Sequence, residues 1–445
     1  MTQGPIWKKI VLFALPLFFG NLFQQLYNAV DSLVVGNFIG SAALAAVGSS
    51  GSLIQLLIGL LQGIFIGAGV VIARYYGARD GEKVRLAIHT TLMFAFLAGL
   101  FLTFFGVAFT PSILRLMGTP EDVLPNSIVY FRIYFGGVMA LVLYNSASGI
   151  LQAVGDSRHP LIYLLVSSAL NVGLDLLFVV VFHWGVAGVG VATVISQAVS
   201  AALGFWHLCR VKQEYRVVPS MIRLDGRMLR QVLHMGVPAG LQNSIISLAN
   251  IIVQSHINSF GAMAMAGCGS YAKLEGFGFL PIASFALSMT TFIGQNLGAK
   301  LYDRARQGAR FALVACMVLA EIIAGIIYAF APQLIAAFSG DPSVIAFGIM
   351  QARTITPFYF LLALSHCMAG ILRGAGKAVV PMVVMMVCWC VIRIAYLELI
   401  LSYIPEIQWL FRAYPITWTL SALTLLVYYR KADWLHAYER EQARL

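Results

Sequence analysis

Residues 10–36 read IVLFALPLFFGNLFQQLYNAVDSLVVG, and residues 231–257 read QVLHMGVPAGLQNSIISLANIIVQSHI. Each stretch is long and apolar enough to cross a hydrocarbon layer of ~30 Å as a helix. Each carries a proline early and amides at the same places. At an offset of 222, Leu15-Pro16 aligns with Val237-Pro238, Asn21 with Asn243 and Asn28 with Asn250. At an offset of 221, Gly48-Ser49 aligns with Gly269-Ser270, and Gly77-Ala78-Arg79 with Gly298-Ala299-Lys300. The same offset takes Gly149-Ile150-Leu151 to Gly370-Ile371-Leu372, Gly155 to Gly376 and Pro160 to Pro381. The register holds to within one residue over most of the chain, so the two halves are copies of one plan.

Between these two stretches lie further apolar runs, marked off by Gly, Pro and charge. The first half has runs at 10–36, 49–74, 86–109, 127–152, 160–182 and 186–209. The second has them at 231–257, 269–296, 308–331, 347–372, 379–402 and 412–430. The expectation is an all-α polytopic membrane protein with 12 transmembrane helices in two pseudo-symmetric six-helix bundles. Composition agrees: 60% of the 445 residues are hydrophobic and 11% charged, against roughly 25% charged in soluble chains. That excludes a soluble globular protein, a disordered chain and a nucleic-acid-binding module. A β-barrel would alternate polar and apolar residues, and these runs do not.

The net charge of +11 is explained by topology rather than by phosphate binding. Arg74, Arg79, Lys83 and Arg85 follow the second run. Arg210, Lys212, Arg216, Arg223, Arg227 and Arg230 follow the sixth, and Lys300, Arg304, Arg306 and Arg310 the eighth. The opposite loops hold only Arg115 and Arg412, with Arg132 near that edge. Both termini are therefore expected in the cytoplasm, in a multi-pass protein of the cell (plasma or inner) membrane. The expected domains are a six-helix lobe at 1–209, a basic cytoplasmic linker at 210–230, a second lobe at 231–430 and a cytoplasmic tail at 431–445. The first run follows Trp7-Lys8-Lys9 without a small-residue cleavage site and reads as a retained helix. The six cysteines form no C-x-x-C, and Cys388-Trp389-Cys390 reads as packing.

With six helices per half, the repeats are parallel, and a substrate site is expected between them near the midplane. Charge inside the bilayer costs roughly 2.5–3.5 kcal/mol per residue on insertion scales, so intramembrane ionisable residues point to function. The first run carries Asn21, Gln24, Gln25, Asn28, Asp31 and Ser32 within an arc of about 120°. The seventh repeats this with Asn243, Ser247, Asn250 and Gln254, without an acid. For the amides, interhelical hydrogen bonding and cavity lining are equally open. The fifth run holds Asn171 and Asp175, an i,i+4 pair on one face, and the sixth supplies Thr193. If these helices pack together, two carboxylates, an amide and a hydroxyl converge, a set suited to a hard cation, Na+ among metals, or to a proton. The positions matching Asn171 and Asp175 are Ile392 and Tyr396. Those around the Asp31 match are Ile252 and Val253. Features unique to one half are candidates for coupling, since shared ones build the fold.

In the second half, Glu275 is a candidate for the substrate cavity, as are Gln24, Asn28 and Asn145 in the first. Glu275 could attract a cationic substrate, titrate, or pair with Lys273, Arg393 or His366. Glu321 and Glu398 lie nearer helix ends, and His366 reads as a packing histidine. Pro16 can act as a hinge, or as a static kink. No nucleotide-binding signature appears, so uphill transport would draw on an ion gradient.

The Val30-Asp31-Ser32 stretch leading to Gly36, the Gly77-Ala78 loop with its copy, Gly149-Ile150-Leu151-Gln152-Ala153 and Asn171-x-x-x-Asp175 followed by Thr193 together resemble the multidrug and toxic compound extrusion (MATE) family. The resemblance covers essentially the whole chain. It implies two six-helix lobes forming a V-shaped cleft and antiport of H+ or Na+ against a drug. It places Asp31, Asn171, Asp175 and Thr193 in a first-lobe cation site, with Gln24 and Asn145 lining the cavity. Some members also have acids on helices 7 and 10; here Glu275 on helix 8 is the nearest substitute. Usual substrates are bulky, cationic and aromatic.

The expected function is thus a cation-coupled antiporter exporting amphipathic, often cationic, organic compounds by alternating access. It is no enzyme, needs no cofactor beyond its coupling ion, binds no nucleic acid, and acts in the bilayer as a monomer. The alternative is a lipid-linked precursor flippase of the same superfamily. A third reading, an integral-membrane enzyme or receptor, would need clustered catalytic groups such as paired histidines with acids, and the eight histidines are scattered.

Overall fold

The computed structural model describes the chain except residues 117, 118, 120, 122, 438 and 440–445; the side chains at 41, 42 and 44–57 are also outside the description. Gly48-Ser49 of the repeat, and part of the expected tail, fall there. Among the described residues there is no β-strand. The helices are α1 Ile6–Phe38, α2 Ser41–Gly77, α3 Gly81–Leu116, α4 Leu124–Gly136, α5 Val138–Ala153, α6 Arg158–Asp175, α7 Val186–Arg210, α8 Gly226–Asn258, α9 Ala262–Gly298, α10 Tyr302–Ala336, α11 Pro342–Ile355, α12 Tyr359–Gly374, α13 Val379–Met386, α14 Arg393–Tyr403 and α15 Ile407–Lys431. Among the described residues eleven helical segments are long and apolar enough to cross a membrane, counting α11 with α12 and α13 with α14 as one segment each, and α4 with α5 makes a twelfth if that pair is one span.

The run expected as one helix at 127–152 is therefore broken. Its two parts meet at 47°, at Gly136-Gly137. A Cβ at Gly137 would lie 2.3 Å from both methyls of Val194. The glycine lets α7 press directly on the bend. The runs at 160–182 and 379–402 are not uniform either. Each contains a π-helical stretch, Leu176–Val181 after Asp175 and Val387–Ile392 before Arg393. Such wide turns recur at functional positions because they re-aim the neighbouring side chains.

By contacts the chain divides into two compact units, Phe19–Gly236, and Met1–Phe18 with Val237–Leu445. Both divisions fall inside a continuous helix, beside Pro16 in α1 and Pro238 in α8. Ile10 and Ala14 of α1 sit in the core of the second unit with Met289, Phe292 and Cys367, and Ser288 donates to the Ile10 carbonyl at 3.3 Å. Correspondingly, Gly236 of α8 packs in the first unit, where a Cβ would lie 2.5 Å from the Ile64 Cα. Tyr75 donates to Gln231 in that unit at 2.9 Å.

Large apolar side chains cover the outer surfaces, among them Phe101, Phe104, Val391 and Leu399, with Phe104 74% exposed. In water this would be an aggregation hazard; against lipid tails it has no such cost.

Helix ends follow local rules. Asp341 caps α11, accepting from the backbone N–H of Ser343 at 2.7 Å and Val344 at 3.4 Å. Asp341→Ala should lower unfolding stability by about 1 kcal/mol, read from denaturant titration in detergent, while Asp341→Asn should recover most of it.

Candidate functional site

Of the four residues predicted to act together, the side chains of Asp31, Asn171 and Asp175 meet within the first unit, and Thr193 joins them through its backbone N–H. Asp31 is on α1, Asn171 and Asp175 are in the last turns of α6, and Thr193 is on α7. Asn171 and Asp175 are fully buried and Thr193 is 7% exposed. With the Asn171 amide turned to satisfy its neighbours, its nitrogen donates to Asp31 Oδ1 at 2.9 Å and to Asp175 Oδ2 at 3.1 Å. Its oxygen then accepts from the Thr193 backbone N–H at 3.3 Å. The other carboxylate oxygen of Asp175, Oδ1, is buried with no hydrogen-bond partner. Thr193 donates its hydroxyl to the Val189 carbonyl at 3.0 Å, leaving oxygen lone pairs available. The wall is apolar, formed by Val34, Val35, Tyr130, Val179, Val186 and Val189.

The ion pairs of the described residues lie elsewhere, as at Lys83–Asp80 and His159–Asp156. Among the described residues no Lys, Arg or His forms an ion pair within 4 Å of either site carboxylate. A buried carboxylate, Asp175, joined by one amide to the half-buried Asp31 needs a positive partner, because an uncompensated buried charge is costly. A proton would serve. So would a hard monovalent cation: four of the nearby atoms are carboxylate oxygens, the Thr193 hydroxyl is a fifth, and a half-turn of the amide would bring the Asn171 oxygen in as well. The donor set fits either ion.

Sequence reading missed Tyr27, which lies within hydrogen-bonding reach of Asp31 and Thr193. Its spacing of four from Asp31 on one helix was the available signal. It also missed Tyr130 as part of the wall.

Of the remaining candidates, Gln24 and Asn145 are half-buried and Asn28 is exposed. Asn145 donates to the Leu141 carbonyl of its own helix at 2.9 Å. Asn243, Ser247, Asn250 and Gln254 are exposed; Ser247 and Gln254 bond to neighbours on α8. Glu275 lies apart from these, in the second unit. Its electrostatic partner there is Arg393, with no ion pair within 4 Å. Arg393 instead donates through Nε and Nη2 to Thr417 Oγ1 at 3.2 and 2.8 Å, and lies 4.5 Å from the Tyr414 ring centre. Lys273 lies over Phe338 at 5.3 Å. His366 packs between Phe279 and Trp389, as a packing histidine should. Glu321 accepts from the N–H of Phe360, in the first turn of α12, at 2.9 Å, and Glu398 pairs with His256 at 3.4 Å. All six cysteines are free.

A cavity of about 640 Å³ lies between α3, α4, α5 and α7, walled by Phe96, Met139, Leu143 and Phe205 among others. It is apolar and includes none of the four convergent residues.

The two copies differ where expected. Val253, beside the match to Asp31, is a core residue of the second unit. The acidic cluster therefore belongs to one half only.

The profile of the MatE family matches residues 16–177 and 238–397, two segments that begin at the paired prolines or next to them. The chain belongs to the MATE family. This is a family of membrane transporters rather than enzymes. Two relatives are the probable multidrug resistance proteins YoeA and YpnP of Bacillus subtilis (strain 168). YoeA is 29% identical over 96% of this chain and 94% of its own; YpnP is 28% identical over 97% of each. A solved structure of an outward-facing multidrug resistance MATE family transporter of the MOP superfamily matches with TM-score 0.90, at 23% identity and over 96% of each chain. The MATE fold covers nearly the whole chain.

Proposed function

We propose that this MATE protein exports amphipathic, often cationic, organic compounds in exchange for an inward-moving H+ or Na+. The observation that carries the reading is the Asp31–Asn171–Asp175 cluster: a fully buried and a half-buried carboxylate, linked by one amide and, among the described residues, without a basic partner within 4 Å. A transporter coupled to a cation needs such a group, whose occupancy shifts the balance between two orientations of the protein. Only an ion that binds one orientation better can drive the change. The relatives named as multidrug resistance proteins support the substrate class. In this reading the basic connections face the cytoplasm, both termini lie there, and the protein works as a monomer in the cell membrane. Gln24, Asn28 and Asn145 line the path of the substrate in the first half, and Glu275 meets it in the second.

H+ and Na+ compete for the same carboxylates. If Na+ is the coupling ion, its affinity therefore rises with pH, by up to about tenfold per pH unit for each proton displaced. Antiport also requires substrate and ion to exclude each other. Adding a cationic dye such as ethidium to the purified protein in weak buffer should release protons to an indicator, or displace bound radioactive sodium. Release of neither ion on saturable dye binding would overturn antiport.

Pro16 removes one backbone hydrogen bond from α1, two residues from where that helix passes between units. In this proposal Pro16 and Pro238 are the points at which α1 and α8 flex. Pro16→Ala should restore the bond, slow turnover by about tenfold, a barrier change of ~1.4 kcal/mol, and leave dye affinity within about twofold. An unchanged rate would mean a static kink.

A further inference from the structure

The eight histidines, scattered in sequence, are not all scattered in space. His159 in the first turn of α6 and His207 in the last turn of α7 lie with ring centres 4.2 Å apart. Asp156, in the turn before α6, joins them, and one donor atom from each of the three lies within 4.8 Å of the others. We propose that Asp156, His159 and His207 form a binding site for a divalent transition-metal ion, zinc or nickel in class, which clamps the α5–α6 turn to the end of α7.

The geometry supports this in four ways. First, two imidazoles and a carboxylate are the ligand types favoured by borderline metals, and three such ligands leave a position for water or a further group. Second, the three are pre-positioned. Asp156 Oδ1 accepts from the backbone N–H of Arg158 at 3.1 Å and of His159 at 3.2 Å, while its Oδ2 lies 2.5 Å from His159 Nδ1. The backbone is held by the Asp156 N–H donating to the Leu151 carbonyl at 2.9 Å and by a left-handed Gly155 at φ +96°. An ion would take the place of the proton between His159 and Asp156. Ligand bonds of about 2.0–2.2 Å then need only small side-chain rotations. Third, all three residues are half-exposed, so an ion can enter. Fourth, the fold does not require them. The matching positions in the other half are Lys377, Val380 and Tyr428, so the same turn and helix ends form without the trio. The cluster is distinct from Asp31, Asn171, Asp175 and Thr193, and its function is independent of the coupling ion.

The test uses full-length protein in detergent, freed of any affinity tag and stripped with chelator. Titration with Co2+, followed by its visible absorption and by calorimetry, should show one saturable site per chain that Zn2+ displaces. His207→Ala and His159→Ala should each weaken binding more than tenfold, and Asp156→Asn, which keeps the capping oxygen, by about tenfold. His183→Ala and His436→Ala should change nothing; His436 is a fair control because it has its own aspartate partner, Asp433, at 2.8 Å. Zn2+ should raise the melting temperature of the wild type but not of the His207→Ala protein. His207→Gln, similar in size, replaces His207→Ala if the latter fails to fold. Absence of saturable Co2+ binding, or binding that survives the loss of either cluster histidine, would overturn the site.

Discussion

Asp175→Asn should abolish ion-driven export while leaving the protein folded. The side chain keeps its shape and loses its charge. At about 3 Å and an effective dielectric of ~20, one carboxylate attracts a monovalent cation by roughly 5 kcal/mol. Even half of that corresponds to a loss of nearly ~100-fold in ion affinity. Export driven by a gradient should fall at least that far, while dye binding at equilibrium should remain. Stability should move little, and upward if at all. Asp175 Oδ1 is buried without a partner, and neutralising an uncompensated buried charge removes a cost. A melting temperature equal to or above that of the wild type, together with lost transport, is the expected pair of results. Full gradient-driven export by Asp175→Asn would remove the first-half cluster from the mechanism.

Gly370→Ala should be among the most damaging single-methyl changes in the protein, and Gly149→Ala harmless. The two glycines occupy equivalent places in the two halves, and face equivalent residues, Ala286 and Phe65. In the second half a Cβ on Gly370 would lie 2.2 Å from the Ala286 carbonyl oxygen and 2.9 Å from its carbon. Backbone atoms cannot rotate away. Thr290 locks the crossing further, its hydroxyl lying 3.1 Å from both the Ala286 and Gly370 carbonyl oxygens. Overpacking of this kind costs typically 1–3 kcal/mol, and this contact belongs at the upper end, about 3 kcal/mol or more. In the first half the same Cβ would stand 3.5 Å from the Phe65 carbonyl oxygen, an ordinary contact. Alanine there gains up to about 1 kcal/mol of helix propensity. Thermal unfolding in detergent should show opposite signs for the two variants. Equal effects would contradict the close α9–α12 crossing.

The architecture was readable because membrane helices must satisfy their own backbone and present unbroken apolar runs. The convergent cluster was readable because Asn171 and Asp175 share a helix face and Asp31 is an acid in an apolar stretch. What escaped the sequence depends on contacts between distant segments. The bend at Gly136-Gly137 is one example: glycine pairs occur inside straight membrane helices too, and only Val194 on α7 gives this pair its role. The π turns beside Asp175 and Arg393 leave no mark on hydrophobicity. The leading turns of α1 and α8 look like the rest of their helices, although the core that receives Ile10 and Ala14 lies in the other half. Tyr27 reads as one more apolar residue until its hydroxyl is placed beside Asp31. His159 and His207 meet because α6 and α7 pack side by side, which no local pattern announces.

The central claim is that the Asp31–Asn171–Asp175–Thr193 cluster binds the ion that drives export. It is tested most directly in proteoliposomes loaded with a fluorescent cationic dye, under a pH gradient or a Na+ gradient applied separately, with wild type and Asp31→Asn side by side. The account predicts that one gradient drives export by the wild type and neither drives it in the variant. Export by Asp31→Asn at the wild-type rate would contradict it, as would wild-type export indifferent to both gradients.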